Sequence, residues 1–201
     1  LLLIILPVLI ISLLELDSLQ HEKREVMAAD RAHIDLASFA MKRELEIVRS
    51  DLVLLRQRAA RTDGHADEGI HPWIHLGGCF LDLATAKPNI DQIRYIDREG
   101  LERVRVNNSG NSPVLVPQDQ LQDKSDRYYF TQGIAIAPEE IYLSRMDLNV
   151  EQGQIELPHK PMLRFVTPTV DAAGVKRGVI VLNYLSSNLL DRLERSGAQM
   201  S

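Results

Sequence analysis

Cysteine is almost absent from this sequence: Cys79 is the single one among 201 residues. One cysteine cannot form a disulfide within the chain, so internal disulfides do not hold the fold together. Long basic runs are also missing, and the net charge of −5 argues against a surface for nucleic acid. With 45% hydrophobic and 25% charged residues, the chain has the composition of an ordinary globular domain.

Sequence patterns typical of catalysis are missing as well. The chain has no Gly-x-Ser-x-Gly turn, no glycine-rich phosphate loop and no paired-histidine motif. The loop at 61–72 contains acids and histidines, but their spacing matches no zinc pattern. The residues concerned are Asp63, His65, Asp67, Glu68 and His71, with His75 following. We therefore predict no metal site and no cofactor, and we expect that this chain is not an enzyme.

The N-terminus is strongly apolar. Its first 14 residues, LLLIILPVLIISLL, carry no charge, and Glu15 follows them. A membrane-spanning helix needs about 20 such residues. We interpret residues 1–16 as the outer part of a truncated transmembrane helix, with a signal peptide or a buried core helix as the alternatives.

A long amphipathic helix is predicted from residue 17 to residue 62. The stretch from 17 to 61 contains neither glycine nor proline. Apolar residues recur every seven positions, at Met27, Ile34, Met41, Val48 and Leu55. This spacing fits a helix packed on its own domain and fits a dimer seam equally well.

The remaining residues, 63–201, have the pattern of an α+β domain. A short helix is predicted around 74–86, and hairpin-linked strands favour an antiparallel sheet of about five strands with flanking helices. The predicted strands are IDQIRYID, LERVRVNN, EEIYLSRMDLN, MLRFVTPTV and KRGVIVLNY. A helix, QDQLQDKSDRYYFTQ, is predicted between the second and third strands, and SSNLLDRLERS is predicted to form a closing helix.

Aromatic residues are scarce, yet three of them are consecutive in SDRYYF at 125–130. The preceding Arg127 offers a planar set of donors suited to a carboxylate or phosphate. Successive helical residues turn by about 100°, so the three rings cannot all face one way. The trio is therefore either hydrophobic core or one wall of a ligand site.

Polar residues interrupt the apolar strands that would lie beside this helix. Alternation places Tyr142, Ser144 and Met146 on one face of their strand and Leu143, Arg145 and Asp147 on the other. Arg164 and Asn183 break two otherwise apolar strands. Such residues beside aromatic rings are typical of a small-molecule pocket, although the charged ones also fit a surface cluster.

Taken together, these segments resemble a Cache-type (PAS-like, PDC) extracytoplasmic sensor domain of bacterial receptors. The resemblance covers about residues 20–195 and rests on the long helix, the IDQIRYIDREGLERVRVN hairpin, the RYYF helix and the ending TPTVDAAGVKRGVIVLNY. Amino-acid-binding members carry Arg-x-Trp-Tyr, then Tyr-x-Asp, then an Asp on the last strand. Arg127, Tyr129 and Phe130 fall on the first motif and Tyr142 on the second, whereas Ser144 and Asn183 replace the two acids.

The resemblance implies a domain that senses a small molecule outside the cytoplasm. The chain resembles the carboxylate-binding half of the motif, with Tyr129 replacing Trp and Phe130 replacing Tyr, and it lacks the acids that hold an ammonium group. We therefore expect a carboxylate or another polar ligand that is not an amino acid. The implied binding residues are Arg127, Tyr129, Tyr142, Ser144, Arg164 and Asn183, and Phe130 is expected in the core.

The resemblance also implies a setting for the domain. We expect attachment to the inner membrane through the N-terminal helix, a homodimer through the long helix, and an absent histidine kinase or diguanylate cyclase as output. A structural dimerisation module without a ligand is the alternative.

Overall fold

The computed structural model describes residues 2–62, 72–108, 112–151, 154–187, 189–191 and 194. The chain divides into two units, residues 44–190 and residues 1–43 with 191–201, and each is described by itself. The histidine-rich loop at 63–71 lies outside the described residues, as do residues 188, 192–193 and 195–196 of the predicted closing helix. The described residues 187, 189–191 and 194 of that segment are helical.

The first helix, α1, runs from Leu2 to Thr62 and includes the whole predicted helix. Within the unit 44–190, one of its faces is buried through Val48, Leu52, Leu55 and Ala59. These positions are three or four residues apart, which is the spacing of one helical face. Nowhere in the described part of the chain is a helix both long enough and apolar enough for a membrane crossing.

The second helix, α2, runs from Pro72 to Ala86 and contacts the first two strands of the sheet. It buries Leu76, Phe80 and Ala84, which recur every four residues on one face. The prediction of a short helix at 74–86 is therefore confirmed.

Nine strands and one further α-helix of the described structure follow α2. The strands are β1 Ile90–Asp97, β2 Glu102–Asn107, β3 Val114–Leu115, β4 Tyr142–Leu143, β5 Asp147–Leu148, β6 Val150–Glu151, β7 Gln154–Ile155, β8 Pro161–Val170 and β9 Lys176–Leu185. Helix α3 is Tyr128–Ala135. The main sheet has the order β3-β2-β1-β9-β8-β4, with β5 also paired to β8, and its pairings are antiparallel. The predicted α+β fold is confirmed.

The two faces of the sheet are covered by different helices. On one face, Glu44 of α1 accepts a hydrogen bond from the hydroxyl of Tyr184, and Arg56 Nη1 donates to Thr167 Oγ1 over 3.2 Å. On the other face, α3 buries Tyr129 and Phe130 against the strands. The strand residues beneath α3 are Ile96, Val166, Val179 and Val181. The expectation that Phe130 belongs to the core is therefore confirmed.

The helix predicted at QDQLQDKSDRYYFTQ is shorter than expected. Only a 3-10 turn forms at Gln118–Gln120, and α3 does not begin until Tyr128. Between them, Lys124 N–H donates to Gly100 O over 2.7 Å and Gln122 O accepts from Glu102 N–H over 3.0 Å. These bonds to the β1–β2 turn hold the segment extended, because pairing with the sheet outweighs a weak local preference for helix.

The strand predicted across EEIYLSRMDLN is divided into β4 and β5. In β4, Tyr142 is opposite Val166, whereas in β5 Asp147 is opposite Met162. The pairing has therefore slipped by one residue between the two strands. Such a bulge moves every following side chain to the other face of the sheet. The predicted placement of Asp147, away from Ser144, is consequently wrong.

Gly178 of β9 is packed too closely for any larger residue. A Cβ at this position would lie 2.2 Å from Ile96 O in the neighbouring strand. We expect Gly178→Ala to lower the free energy of unfolding by about 1–3 kcal/mol, since backbone must shift to admit the methyl group. In the matched variant Gly78→Ala, a Cβ within α2 meets nothing within 4 Å. That change should stabilise the helix by about 0.5–1 kcal/mol, and urea denaturation of both variants compares the two effects.

Candidate functional site

Tyr129 lies at the centre of a polar cluster between α3 and the sheet. Its side chain is 1% exposed, and its ring lies beneath two guanidinium groups, 5.8 Å from Arg127 and 5.2 Å from Arg164. Its hydroxyl accepts a hydrogen bond from Arg94 Nη1 over 2.9 Å. Three arginines therefore converge on one buried tyrosine, and each ring contact has the geometry of a cation–π interaction.

Arg127 precedes α3 rather than lying on it. It is the N-cap residue, with extended φ −79 and ψ 129, and its side chain makes no capping hydrogen bond. The half-buried guanidinium is thus free to turn towards Tyr129. Its Nε is buried and has no hydrogen-bond partner among the described residues. Because an unmade hydrogen bond of a buried charged donor is costly, this atom marks a place where an anion would be stabilised.

Arg164 of β8 is 1% exposed and is held by the segment around β5. Its guanidinium donates to Asp147 Oδ1, and its Nη2 donates to Asn149 Oδ1 over 3.4 Å. Tyr128 joins this group because its hydroxyl donates to Asp147 Oδ2 over 2.6 Å. Burial and then the bond to Asp147 raise the pKa of Tyr128 above its ordinary value. Asp147 is thus already occupied by two partners.

Asn183 of β9 is fully buried and lies directly opposite Arg164. Its Nδ2 donates to Gln92 Oε1 over 3.0 Å and, more weakly, to Asn149 Oδ1 over 3.5 Å. Within the described part of the chain, its buried Oδ1 has no hydrogen-bond partner, and neither does the buried Nε of Arg164. Arg164 and Asn183 therefore leave one donor and one acceptor unused, on side chains that are neighbours across two strands.

Ser144 and Tyr142 complete the six predicted site residues on this face. The Ser144 hydroxyl donates to Arg145 O over 2.7 Å and accepts from Arg164 N–H over 2.9 Å. These bonds use its donor, and they fix the chain at the bulge between β4 and β5. Tyr142 is half-buried and packs against the apolar cluster around α3. The structure thus brings all six residues to one face of the sheet, whereas their binding roles stay predictions.

Glu102 and Arg105 add two further buried charges to the cluster, next to Arg94. Glu102 of β2 forms ion pairs with Arg94 Nε over 3.5 Å and with Arg105 Nη1 over 2.9 Å. The side chain of Glu102 is 0% exposed. Sequence reasoning missed this group, although Gln92 and Arg94 alternate along β1 on the same face. Glu102 reaches that face because the β1–β2 pairing slips by one residue beside it.

A smaller polar group lies at the end of the site beyond Asn149. Lys160 Nζ bridges Asp91 Oδ1 at 3.0 Å and Glu156 Oε1 at 2.7 Å. Asn149 Nδ2 donates to Glu156 Oε2 over 2.8 Å. Burial raises the pKa of Asp91 even though the bond to Lys160 opposes that shift. This group fastens the segment between β5 and β8 to the first strand.

Two cavities are lined by described residues, one away from this cluster and one that Glu102 of the cluster helps to line. One, of about 380 Å³, lies between α1 and α2 and is lined by residues that include Leu54, Leu55, Cys79 and Leu83. The other, of about 290 Å³, is lined by residues that include Trp73, Arg103, Gln118 and Leu121. Among the described residues, no three of His, Cys, Asp and Glu are grouped as a metal site would require.

The family profile of the bacterial histidine kinase sensor domain matches residues 41–200 of this chain. Comparison with curated proteins gives no match. Among solved structures, a domain of a sensory box/GGDEF family protein from Vibrio parahaemolyticus is similar, with a TM-score of 0.61 and 24% identity. That match covers 80% of this chain and 57% of the other.

Two more solved structures share the fold. The extracellular domain of the histidine kinase vpHK1S-Z8 matches with a TM-score of 0.62 and 24% identity, over 82% of this chain and 56% of that one. The ligand-binding domain of the Campylobacter jejuni chemoreceptor Tlp3, in complex with 4-methylisoleucine, has a TM-score of 0.64 and 11% identity. It is matched over 84% of this chain and 62% of its own. This chain therefore spans less than two thirds of the length of each of the three.

Proposed function

This chain belongs to the bacterial histidine kinase sensor domain family, and from that premise we propose that it senses an anionic or neutral polar small molecule rather than an amino acid. The observation that carries the proposal is the buried Nε of Arg127, which has no hydrogen-bond partner among the described residues. A carboxylate is the commonest planar partner of such a group. The family is a sensing one, which agrees with the prediction that this chain is not an enzyme.

Among the described residues, the acids of the cluster are already paired, which supports the exclusion of amino acids. Asp147 is paired with Arg164 and also accepts from Tyr128. Glu102 is paired with Arg94 and Arg105. An ammonium group would need a carboxylate free to pair with it, because burying an unpaired charge is costly. Tlp3 binds 4-methylisoleucine on the same fold, so the fold itself does not decide the ligand class.

The proposal includes the setting of the domain. We place the sensing unit on the extracytoplasmic side of the inner membrane, attached through the N-terminal part of α1, with a histidine kinase or diguanylate cyclase as the output. A ligand that paired with Arg127 and Arg164 would favour one arrangement of α3 and the β5 segment over another. The ligand would shift the equilibrium between those two arrangements only by the difference between its affinities for them.

A thermal-shift screen of the chain 1–201 tests the ligand class. Carboxylates and amino acids of matched carbon skeleton would be added in excess. We expect the melting temperature to rise with carboxylates and to stay unchanged with amino acids, since a ligand stabilises the state that binds it. Stabilisation by amino acids alone would overturn the proposal.

A second candidate, a dimerisation module without a ligand, is favoured by the apolar surface of α1. Met27 is 61% exposed and Ile34 is 51% exposed, although both belong to the seven-residue repeat. Val26, Ile47 and Leu54 are exposed beside that repeat. Exposed apolar side chains at this spacing are typical of a helix that pairs with a second copy.

Charges introduced into this stripe should prevent self-association. We expect the double variant Met27→Glu, Ile34→Glu to shift the chain from dimer to monomer in analytical ultracentrifugation, because a seam cannot bury unpaired acids. Ala29→Glu is the matched control, because Ala29 is exposed and lies about 200° around the helix from Met27, so this acid should leave the dimer intact. If the double variant and the wild type show the same mass, α1 is not the seam.

A further inference from the structure

The orientation of the Asn183 side-chain amide, meaning which way its oxygen and its NH₂ group face, is fixed by a series of hydrogen bonds that begins at Arg94. Arg94 Nη2 donates to Gln92 Oε1, and an arginine can only donate. Gln92 must therefore present its oxygen on that side. The same oxygen accepts from Asn183 Nδ2 over 3.0 Å, so Asn183 must present its NH₂ to Gln92. Its Oδ1 is left pointing elsewhere, buried and without a hydrogen-bond partner among the described residues.

A second series of hydrogen bonds fixes the orientation of the Asn149 side-chain amide in the same manner. Glu156 accepts from Asn149 Nδ2 over 2.8 Å, and an ionised carboxylate can only accept. Asn149 must therefore direct its oxygen towards Arg164 Nη2, 3.4 Å away. Since this oxygen already faces a donor, Asn149 cannot supply the donor that Asn183 Oδ1 lacks.

The unused acceptor lies beside unused donors. Asn183 is paired with Arg164 across β8 and β9, and side chains paired in this way are about 5 Å apart at Cβ. Among the described residues, Arg164 Nε and Arg127 Nε are both buried without a hydrogen-bond partner, and both guanidinium groups lie over the ring of Tyr129. Both residues of the strand pair are at most 1% exposed. A ligand that satisfied these atoms together would bring an anion to the arginines and a neutral hydrogen-bond donor to Asn183 Oδ1.

We infer that the ligand is a 2-hydroxycarboxylate, whose carboxylate binds the arginines and whose hydroxyl donates to Asn183 Oδ1. This inference rests on the proposed function, because it names the ligand class of the same site. A 2-keto acid offers only an acceptor beside its carboxylate, so it would leave Asn183 Oδ1 unsatisfied. A simple carboxylic acid offers nothing there. An ammonium group would be buried against an amide that carries no charge.

Matched sets of small acids test the inference on the wild-type chain 1–201. One set is lactate, propionate, pyruvate and alanine, and a larger one is malate, succinate, oxaloacetate and aspartate. In isothermal titration calorimetry, we expect the hydroxy acid of one set to bind at least about tenfold more tightly than the unsubstituted and keto acids. A buried acceptor left without its donor has about that effect on affinity. The amino acids should not bind.

Two variants of Gln92 test whether Gln92 fixes the orientation of the Asn183 amide. Gln92→Met keeps the volume but removes the oxygen, so Asn183 becomes free to turn over. We expect the preference for the hydroxy acid over the unsubstituted acid to fall to about threefold or less. Gln92→Glu keeps an accepting oxygen at that position and is the matched control, which should retain the preference.

The outcomes separate the inference from the function on which it rests. If propionate binds as tightly as lactate and succinate as tightly as malate, the inference fails while carboxylate sensing stands. If both Gln92 variants keep the full preference, Asn183 does not set it and the inference also fails. Binding of amino acids alone, or of no member of either set, would overturn both. A preference for the hydroxy acid that is lost only in Gln92→Met supports the inference.

Discussion

Replacement of Arg127 by methionine is expected to weaken ligand binding by about a hundredfold or more while the chain stays folded. The guanidinium is the one member of the cluster that combines a buried donor without a partner and a position before α3, outside the regular elements. Its charge is therefore available to a carboxylate, and removal of one partner of a buried charged pair costs roughly 2–5 kcal/mol of binding free energy. Titration calorimetry with the best-binding carboxylate measures the loss.

Arg145→Met is the matched control for that variant. Arg145 also stacks on a tyrosine, 5.5 Å from the ring of Tyr128, but it is exposed. We expect its loss to change neither affinity nor folding. If Arg127→Met retained wild-type affinity, or if both variants lost affinity equally, Arg127 would not be the anchor of the ligand.

Replacement of Glu102 by glutamine is expected to produce the largest loss of stability, roughly 3–5 kcal/mol. Glu102 is the carboxylate that pairs with both Arg94 and Arg105, and all three side chains are buried. Without its charge, two guanidinium groups would remain close together away from water. Urea denaturation gives the free energy of unfolding for comparison with the wild type.

Glu99→Gln provides the matched control, because Glu99 forms an exposed ion pair with Arg98. Exposed pairs contribute little, so the same chemical change there should leave the unfolding midpoint where it is. A Glu102→Gln variant that unfolded at the wild-type urea concentration would contradict the assignment of Glu102 as the central charge of the buried group.

The sequence was sufficient to predict the fold because its signals are local. A stretch without glycine or proline gave α1, and hairpin-linked apolar runs gave the antiparallel pairs β1–β2 and β8–β9. Arg164 and Asn183 were candidates because polar side chains are rare in apolar strands, whereas Arg127, Tyr129, Tyr142 and Ser144 were matched through the resemblance to Cache-type domains. Their arrangement on one face of the sheet follows from strand alternation once the pairing partners are known.

The acids of the site could not be predicted, for one physical reason. Glu102 and Asp147 both reach the face of the arginines through a one-residue slip in strand pairing. Alternation read from the sequence assumes unbroken pairing, so it assigns the residues beyond a bulge to the wrong face. The limits of α3 were missed for a related reason, since residues 121–124 are held by the β1–β2 turn rather than by their own helical preference.

Under the proposed function, the contacts from the β5 segment to Arg164 would affect how much ligand the domain needs for a response. Asp147 and Asn149 already offer Arg164 the kind of oxygen atoms that a carboxylate would bring. An incoming molecule would compete with them, and its apparent dissociation constant would rise as the share of domains with that segment released falls. Substitutions in residues 147–149 would then set the concentration at which the receptor responds, whereas Arg127 and Asn183 would set which molecule it recognises. Sensitivity and selectivity would thus evolve on separate parts of the chain.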